Sequence, residues 1–148
     1  MIASVDHQAL AELRYQIRRF LVFSEREARA AGIEPRQHQL LLAIKGLPEG
    51  QRPTIGTLAE RLQVRHHSAV ELVSRLVARR LAVRRRSDLD GREVLIQLTV
   101  RGERLLTRLS LAHTNELRSA GPGLLRALQA ILATPSTPGK GSERVRLQ

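Results

Sequence analysis

The sequence predicts a mainly α-helical chain with a small β-hairpin wing: a winged helix-turn-helix with N- and C-terminal dimerisation helices. Three observations predict it. Two helical patterns between Thr54 and Ala78 are separated by only Gln63 and Val64. After Leu81 the apolar period changes from helical to alternating, and leucine-bearing helical stripes flank the unit on both sides.

In chain order, Leu10, Leu13, Ile17, Phe20, Leu21, Ser24, Ala28 and Ala31 recur at helical spacing and stop before Gly32, which predicts one long helix from about Ser4. Pro35 suits the first turn of a second helix, with Leu40, Leu41 and Ile44 inward and Gly46 at its end. The segment Pro48 to Pro53 reads as a loop. Thr54 is the expected N-cap of a short third helix, because its hydroxyl can accept from an amide that has no intrahelical partner, and Leu58, Ala59 and Leu62 form its inward stripe. A fourth helix begins near Arg65 to His67 and turns Ala69, Val73, Leu76 and Val77 toward the core. Its opposite face carries His67, Ser68, Glu71, Ser74, Arg75 and Ala78.

Two strands should follow, with Leu81 and Val83 on one and Val94, Ile96 and Leu98 continuing a buried face on the other. Between them Asp90-Gly91 is the expected hairpin turn, gathering Arg84, Arg85, Arg86 and Arg92 around one exposed loop. Thr99 can cap a further long helix through Leu105, Leu106, Leu109, Ala112, His113 and Leu117, which Gly121-Pro122-Gly123 is expected to break. A last helix would carry Leu124, Leu125, Leu128, Ile131 and Leu132. The organisation is therefore residues 1–34 as an N-terminal dimerisation helix, 35–99 as the winged core, 100–133 as C-terminal dimerisation helices, and 134–148 as a Pro-, Gly- and Ser-rich disordered basic tail.

Composition bounds the function. The chain has 148 residues, a formal charge of +11 and a pI near 11.6, with 42% hydrophobic residues, as suits one globular domain with an acidic partner. Nucleic acid fits because the arginines concentrate on one helix and one hairpin. The absence of cysteine excludes disulfides, thiolate metal sites and thiol redox sensing. His66 and His67 are adjacent, so on a helix they point about 100° apart and make a poor metal pair; no metal or other cofactor is expected. No apolar run suggests a membrane span and no leader suggests export, so the expected location is cytoplasmic. No Gly-rich phosphate loop, nucleophile elbow or metal-spaced cluster points to an enzyme.

The wing pattern of Asp90, any residue, and Arg92, followed by Leu98-Thr99 after a leucine-rich helix, resembles the MarR family of transcriptional regulators. The likeness in helix order runs from about Ala9 to Leu132. Two positions depart from the family pattern: Arg80 stands where a glycine usually precedes the leucine that opens the wing, and His38 stands where an aromatic residue usually follows Gln37. The resemblance implies a homodimer on a pseudo-palindromic double-stranded DNA operator, regulating transcription as a repressor that a small aromatic or phenolic effector releases.

On that reading Arg65, His66, His67, Ser68, Glu71 and Arg75 face the major groove, where arginine suits guanine and glutamate can accept from cytosine N4. Arg92 enters the minor groove with Asp90 holding the turn, while Arg85 and Arg86 take phosphates. Tyr15, Arg18 and His38 are the residues expected to meet an effector. The alternative is an architectural or RNA-associated basic protein that binds nucleic acid without sequence preference. The only aromatics, Tyr15, Phe20 and Phe23, lie on the first helix away from the wing, which disfavours base stacking.

Overall fold

Five helices and one antiparallel hairpin make up the computed structural model, which describes residues 5–133: α1 (His7–Ala30), α2 (Pro35–Lys45), α3 (Ile55–Leu62), α4 (His66–Ala78), β1 (Ala82–Arg86), β2 (Val94–Leu98) and α5 (Val100–Ala133). The expected basic tail, 134–148, lies outside the described residues.

Local chemistry sets most of the boundaries. The Asp6 carboxylate accepts from the Ala9 amide at 2.9 Å to open α1, and Gly32 closes it in the left-handed region at φ +85°. Glu34 and Gln37 form a reciprocal capping box ahead of α2, with Pro35 in its first turn. The Thr54 hydroxyl accepts from the Thr57 amide at 3.2 Å, as the sequence predicts for α3. Gln63 then makes the turn to α4 in a left-handed conformation, φ +54°.

The end of α4 explains how the chain manages without the family's glycine. Arg80 itself takes φ +57°, while its amide donates to the Val77 carbonyl and the Leu81 amide to the Leu76 carbonyl. This is the hydrogen-bond pattern of a glycine-terminated helix with a side chain in the strained position. Tertiary contacts hold it there: the Arg80 carbonyl accepts from the Thr99 hydroxyl at 2.7 Å, and Thr99 Oγ1 also accepts from the Gly102 amide to cap α5.

The core lies where α2, α3, α4 and the hairpin meet, with Leu40, Leu41, Leu58, Leu76, Leu81 and Ile96 almost completely buried. Ala28 from α1 and Leu106 and Leu109 from α5 extend the same cluster, so the winged unit and the long helices share one interior.

Four expectations change. Leu72 joins the buried face of α4, whereas Val77 is only half-buried. Val94 is exposed, because β2 turns only Ile96 and Leu98 fully inward. Asp90-Gly91 is not a two-residue hairpin turn: the strands stop at Arg86 and resume at Val94, and Gly91 is not among the residues with positive φ. Finally, Gly121-Pro122-Gly123 does not break the last helix, which is continuous from Val100 to Ala133 with Pro122 inside it. Packing against α1 carries it through, since a Cβ added at Gly123 would stand only 3.2 to 3.3 Å from the Gln16 amide.

Candidate nucleic-acid interface

The surface of interest is built around α4. Its core side is Ala69, Leu72, Val73 and Leu76, so helical geometry turns His67, Glu71 and Ser74 directly outward. Arg65, the N-cap residue, and His66 and His67 in the first turn are all exposed. The first amides of the helix are oriented toward the same end, where they favour an anion. Ser68 is half-buried, while Glu71 and Arg75 are exposed. The structure thus places His67, Glu71 and Arg75 at or beside one outward face, with Arg65 and His66 exposed at the N-terminal end of the helix.

Ser74 has a different role from the one its position suggested. Its hydroxyl donates to the Val70 carbonyl at 2.9 Å and accepts from Arg84 Nη2 at 2.8 Å. Its hydrogen-bonding capacity is therefore largely engaged within the chain, and Arg84 ties β1 to α4.

The wing arginines separate by strand alternation. The register pairs Arg84 with Ile96 and Arg86 with Val94 on the face toward α4, and Arg85 with Leu95 on the other. Arg86 Nη1 donates to the Gly91 carbonyl at 3.0 Å, bracing the loop, whereas the guanidinium groups of Arg85 and Arg92 have no partner among the described residues. Within the wing loop Asp90 Oδ1 accepts from the Arg92 amide at 3.0 Å.

The base of the wing depends on residues that the sequence reading passed over. The Ser87 hydroxyl, buried, accepts from the Leu89 and Asp90 amides and from Arg52 Nη2. Arg52 Nη1 also pairs with Glu93 at 2.6 Å, and the Ile96 amide donates to the Pro53 carbonyl at 2.9 Å. The loop before α3 thereby orders the wing loop. A serine opening a turn was the available sequence signal; the Arg52 contact spans 35 positions and left none.

Beside the hairpin a cleft of about 690 Å³ runs between β2, the end of α2 and the start of α5, lined by Ile44, Lys45, Pro53, Arg85 and Leu95 among others. A Lys45–Glu103 ion pair of 2.9 Å closes one side.

The three residues expected to meet an effector do not share one environment. Tyr15 and Arg18 are exposed on α1, and the cation over the Tyr15 ring is Arg19, 5.7 Å from its centroid. His38 is buried on α2, 2% exposed, against the His113 ring at 4.8 Å. The His113 Nδ1 lies 2.7 Å from the Leu109 carbonyl, which only accepts, so Nδ1 carries a proton there. Its Nε2 meets the Ser24 hydroxyl at 2.8 Å. Burial, with the nearby His113 charge second, pushes the His38 pKa down to about 4, and its Nδ1 has no hydrogen-bond partner among the described residues. These rings join α1, α2 and α5 beside the shared core.

A three-helix core, a helix-turn-helix and a braced hairpin define a winged helix-turn-helix protein. Residues 31–93 match the family model described as MarR family. Solved structures carry the likeness across the chain. AbsC, a MarR family transcriptional regulator from Streptomyces coelicolor, superposes with a TM-score of 0.69 at 18% identity, covering 90% of this chain and 94% of its own. RV1404 from Mycobacterium tuberculosis gives 0.69 at 21% identity over 93% and 99%. CouR from Rhodococcus jostii RHA1, bound to p-coumaroyl-CoA, gives 0.62 at 20% identity over 84% and 92%. No curated protein sequence matches the chain. Among the described residues no helix is long and apolar enough to cross a membrane.

Proposed function

We propose that the chain is a homodimeric, sequence-specific DNA-binding transcriptional regulator, acting as a repressor released by a small aromatic or phenolic effector. The observation that carries the DNA-binding part is the outward face of α4 beside unpartnered arginines. Arg65 and Arg75 on the helix, and Arg92 on the wing, have guanidinium groups that no carboxylate or carbonyl of the chain engages among the described residues. A cation left unpaired on an ordered surface is available to a phosphate or a base edge. In this arrangement His67, Glu71 and Arg75 read the major groove, and Arg92 reaches the minor groove from a loop held by Asp90, Ser87 and Arg52.

Dimerisation follows from the long helices. Although α1 and α5 pack on one another, Leu125, Leu128 and Leu132 recur along α5 at spacings of three and four and remain exposed, as do Leu10 and Leu21 on α1. A two-fold partner covers such a stripe with its own copy. Two recognition helices then sit about one DNA turn apart.

The effector part rests on the unmet Nδ1 of His38 at the junction of α1, α2 and α5, and on CouR, which has this fold and was solved with an aromatic acyl thioester. Tyr15 and Arg18 would serve only from the open face of α1.

Selection of bound sequences from a random duplex library at physiological salt tests the proposal. An inverted repeat with one-turn spacing is the expected product; recovery without a motif would favour an architectural protein bound through phosphates alone. On the selected duplex, Arg92→Ala should weaken binding and reduce its salt dependence. Unchanged affinity and unchanged salt slope would remove Arg92 from the interface.

A further inference from the structure

We infer that Arg36 on α2 and Arg61 on α3 form a second phosphate-binding surface, on the flank of α4 opposite the wing. The inference rests on the reading of α4 as the groove-bound helix and adds the strand contact that this reading leaves unassigned.

A helix about 10–12 Å across with its side chains fills a major groove of about 12 Å, so a phosphate backbone runs along each of its flanks. In this chain one flank of α4 faces the wing, through the Arg84–Ser74 hydrogen bond. The other is the line of Ser68, Leu72 and Arg75, four and then three residues apart. Leu72 there forms the common wall of two shallow clefts.

The two clefts differ in charge. One, about 340 Å³, is lined by Arg36, Gln39, Arg61, Leu62, Gln63, Val64 and Leu72 and contains no acidic residue. The other, of similar volume, shares Arg36 with the first and has Glu25 and Glu34 among its walls, with Arg29 already 3.8 Å from Glu25. An anion therefore favours the first. The Arg36 and Arg61 side chains have no hydrogen bond or ion pair among the described residues, and both residues are exposed. Arg79, the nearest contrast, donates to Gln37 at 3.3 Å and is partly engaged.

The fold supplies the alignment. Pro35 and the capping box bring Arg36 to the first turn of α2, and the left-handed Gln63 ends α3 just after Arg61, so both cations stand at helix ends beside the α3–α4 turn. Neither reads a base from this flank. Their contribution is affinity and the registration of α4 in the groove.

The test uses the full-length dimer and the duplex recovered by selection, with affinity measured across a salt series for wild type, Arg36→Ala/Arg61→Ala and Arg36→Lys/Arg61→Lys. Each phosphate contact adds about 0.9 to the slope of log K against log salt, so losing two per protomer should reduce a dimer's slope by about 3.6. Affinity at physiological salt should fall about tenfold or more, with the selected base preference unchanged. The lysine pair should keep most of the slope, since phosphate recognition needs charge more than a planar fork. Phosphate-ethylation interference should disappear from one rail of the groove only. An alanine pair that stays folded and dimeric, yet keeps the wild-type slope and interference pattern, would overturn the assignment. If Arg92→Ala and Glu71→Ala were equally silent on the same duplex, the failure would lie with α4 and the wing as the DNA surface.

Discussion

The winged unit and the pair of long helices α1 and α5 are both left incomplete by their own chain, in opposite chemical senses. Around α4 the apolar interior is closed and what lacks a partner among the described residues is charge: the guanidinium groups of Arg65, Arg75 and Arg92. Along α5 it is apolar surface that lacks cover: Leu125 is 56% exposed and Leu132 74%. Unpaired arginines in water cost little and wait for a polyanion, whereas a leucine stripe is stabilised by any apolar surface that excludes water. In the proposed function these two surfaces take different partners, and the elements they share, α2, the Thr99 joint and the histidine cluster, link them.

The comparison breaks most severely if the leucine stripe is made polar. Leu125→Glu with Leu128→Glu alters four leucines across a two-fold interface, each worth about 1.5–3 kcal/mol when buried, so roughly 6 kcal/mol or more of association should be lost. Sedimentation should report a folded monomer and titration a weakened operator complex; a stable dimer would place the interface elsewhere.

The next effect addresses the joint. A Cβ at Gly102 would lie 2.1 Å from the Leu81 carbonyl oxygen, in backbone that cannot yield cheaply. Gly102→Ala should therefore destabilise by about 3 kcal/mol in urea unfolding, because α5 must lift from the end of α4. Loss of less than about 1 kcal/mol would mean that the two regions are not locked together there.

His38 sharpens the comparison through pH. Its folded pKa of about 4 lies below the ordinary 6.5, so the unfolded chain binds the proton more readily. The stability it supports is fully present above pH 6.5 and is lost as pH falls through 4, on the order of 3 kcal/mol in total. His38→Leu should flatten that part of the stability profile. An unaltered acid limb would show that protonation of His38 is not what weakens the fold in that range.

The smallest effect lies at the end of α4. Arg80→Gly removes a side chain from a left-handed position and should stabilise by about 1 kcal/mol, measured as a raised urea midpoint. No gain would mean that the Arg80 side chain makes up the strain.

Much of the winged unit was legible in the residues because its signals are local. Thr54 caps α3 within three positions, Pro35 opens α2, and the apolar spacing of α4 marks its outward face without reference to anything distant. The wing was legible as a hairpin but not in detail. Asp90-Gly91 suggested a tight turn, whereas the loop is organised by Ser87 and by Arg52 from another part of the chain. Pro122 misled for a related reason: its helix-breaking tendency is local, and packing on α1 outweighs it.

By itself, then, the sequence determined the element types, the helix that faces outward and the arginines that accompany it, since caps and periodicity act over a few residues. Only the tertiary structure decided which cations remain free. Arg52, Arg84 and Arg86 find acceptors within the chain, while Arg36, Arg61 and Arg92 have none among the described residues. Composition shows all six alike, because a hydrogen bond depends on which acceptor the folded backbone brings within about 3 Å.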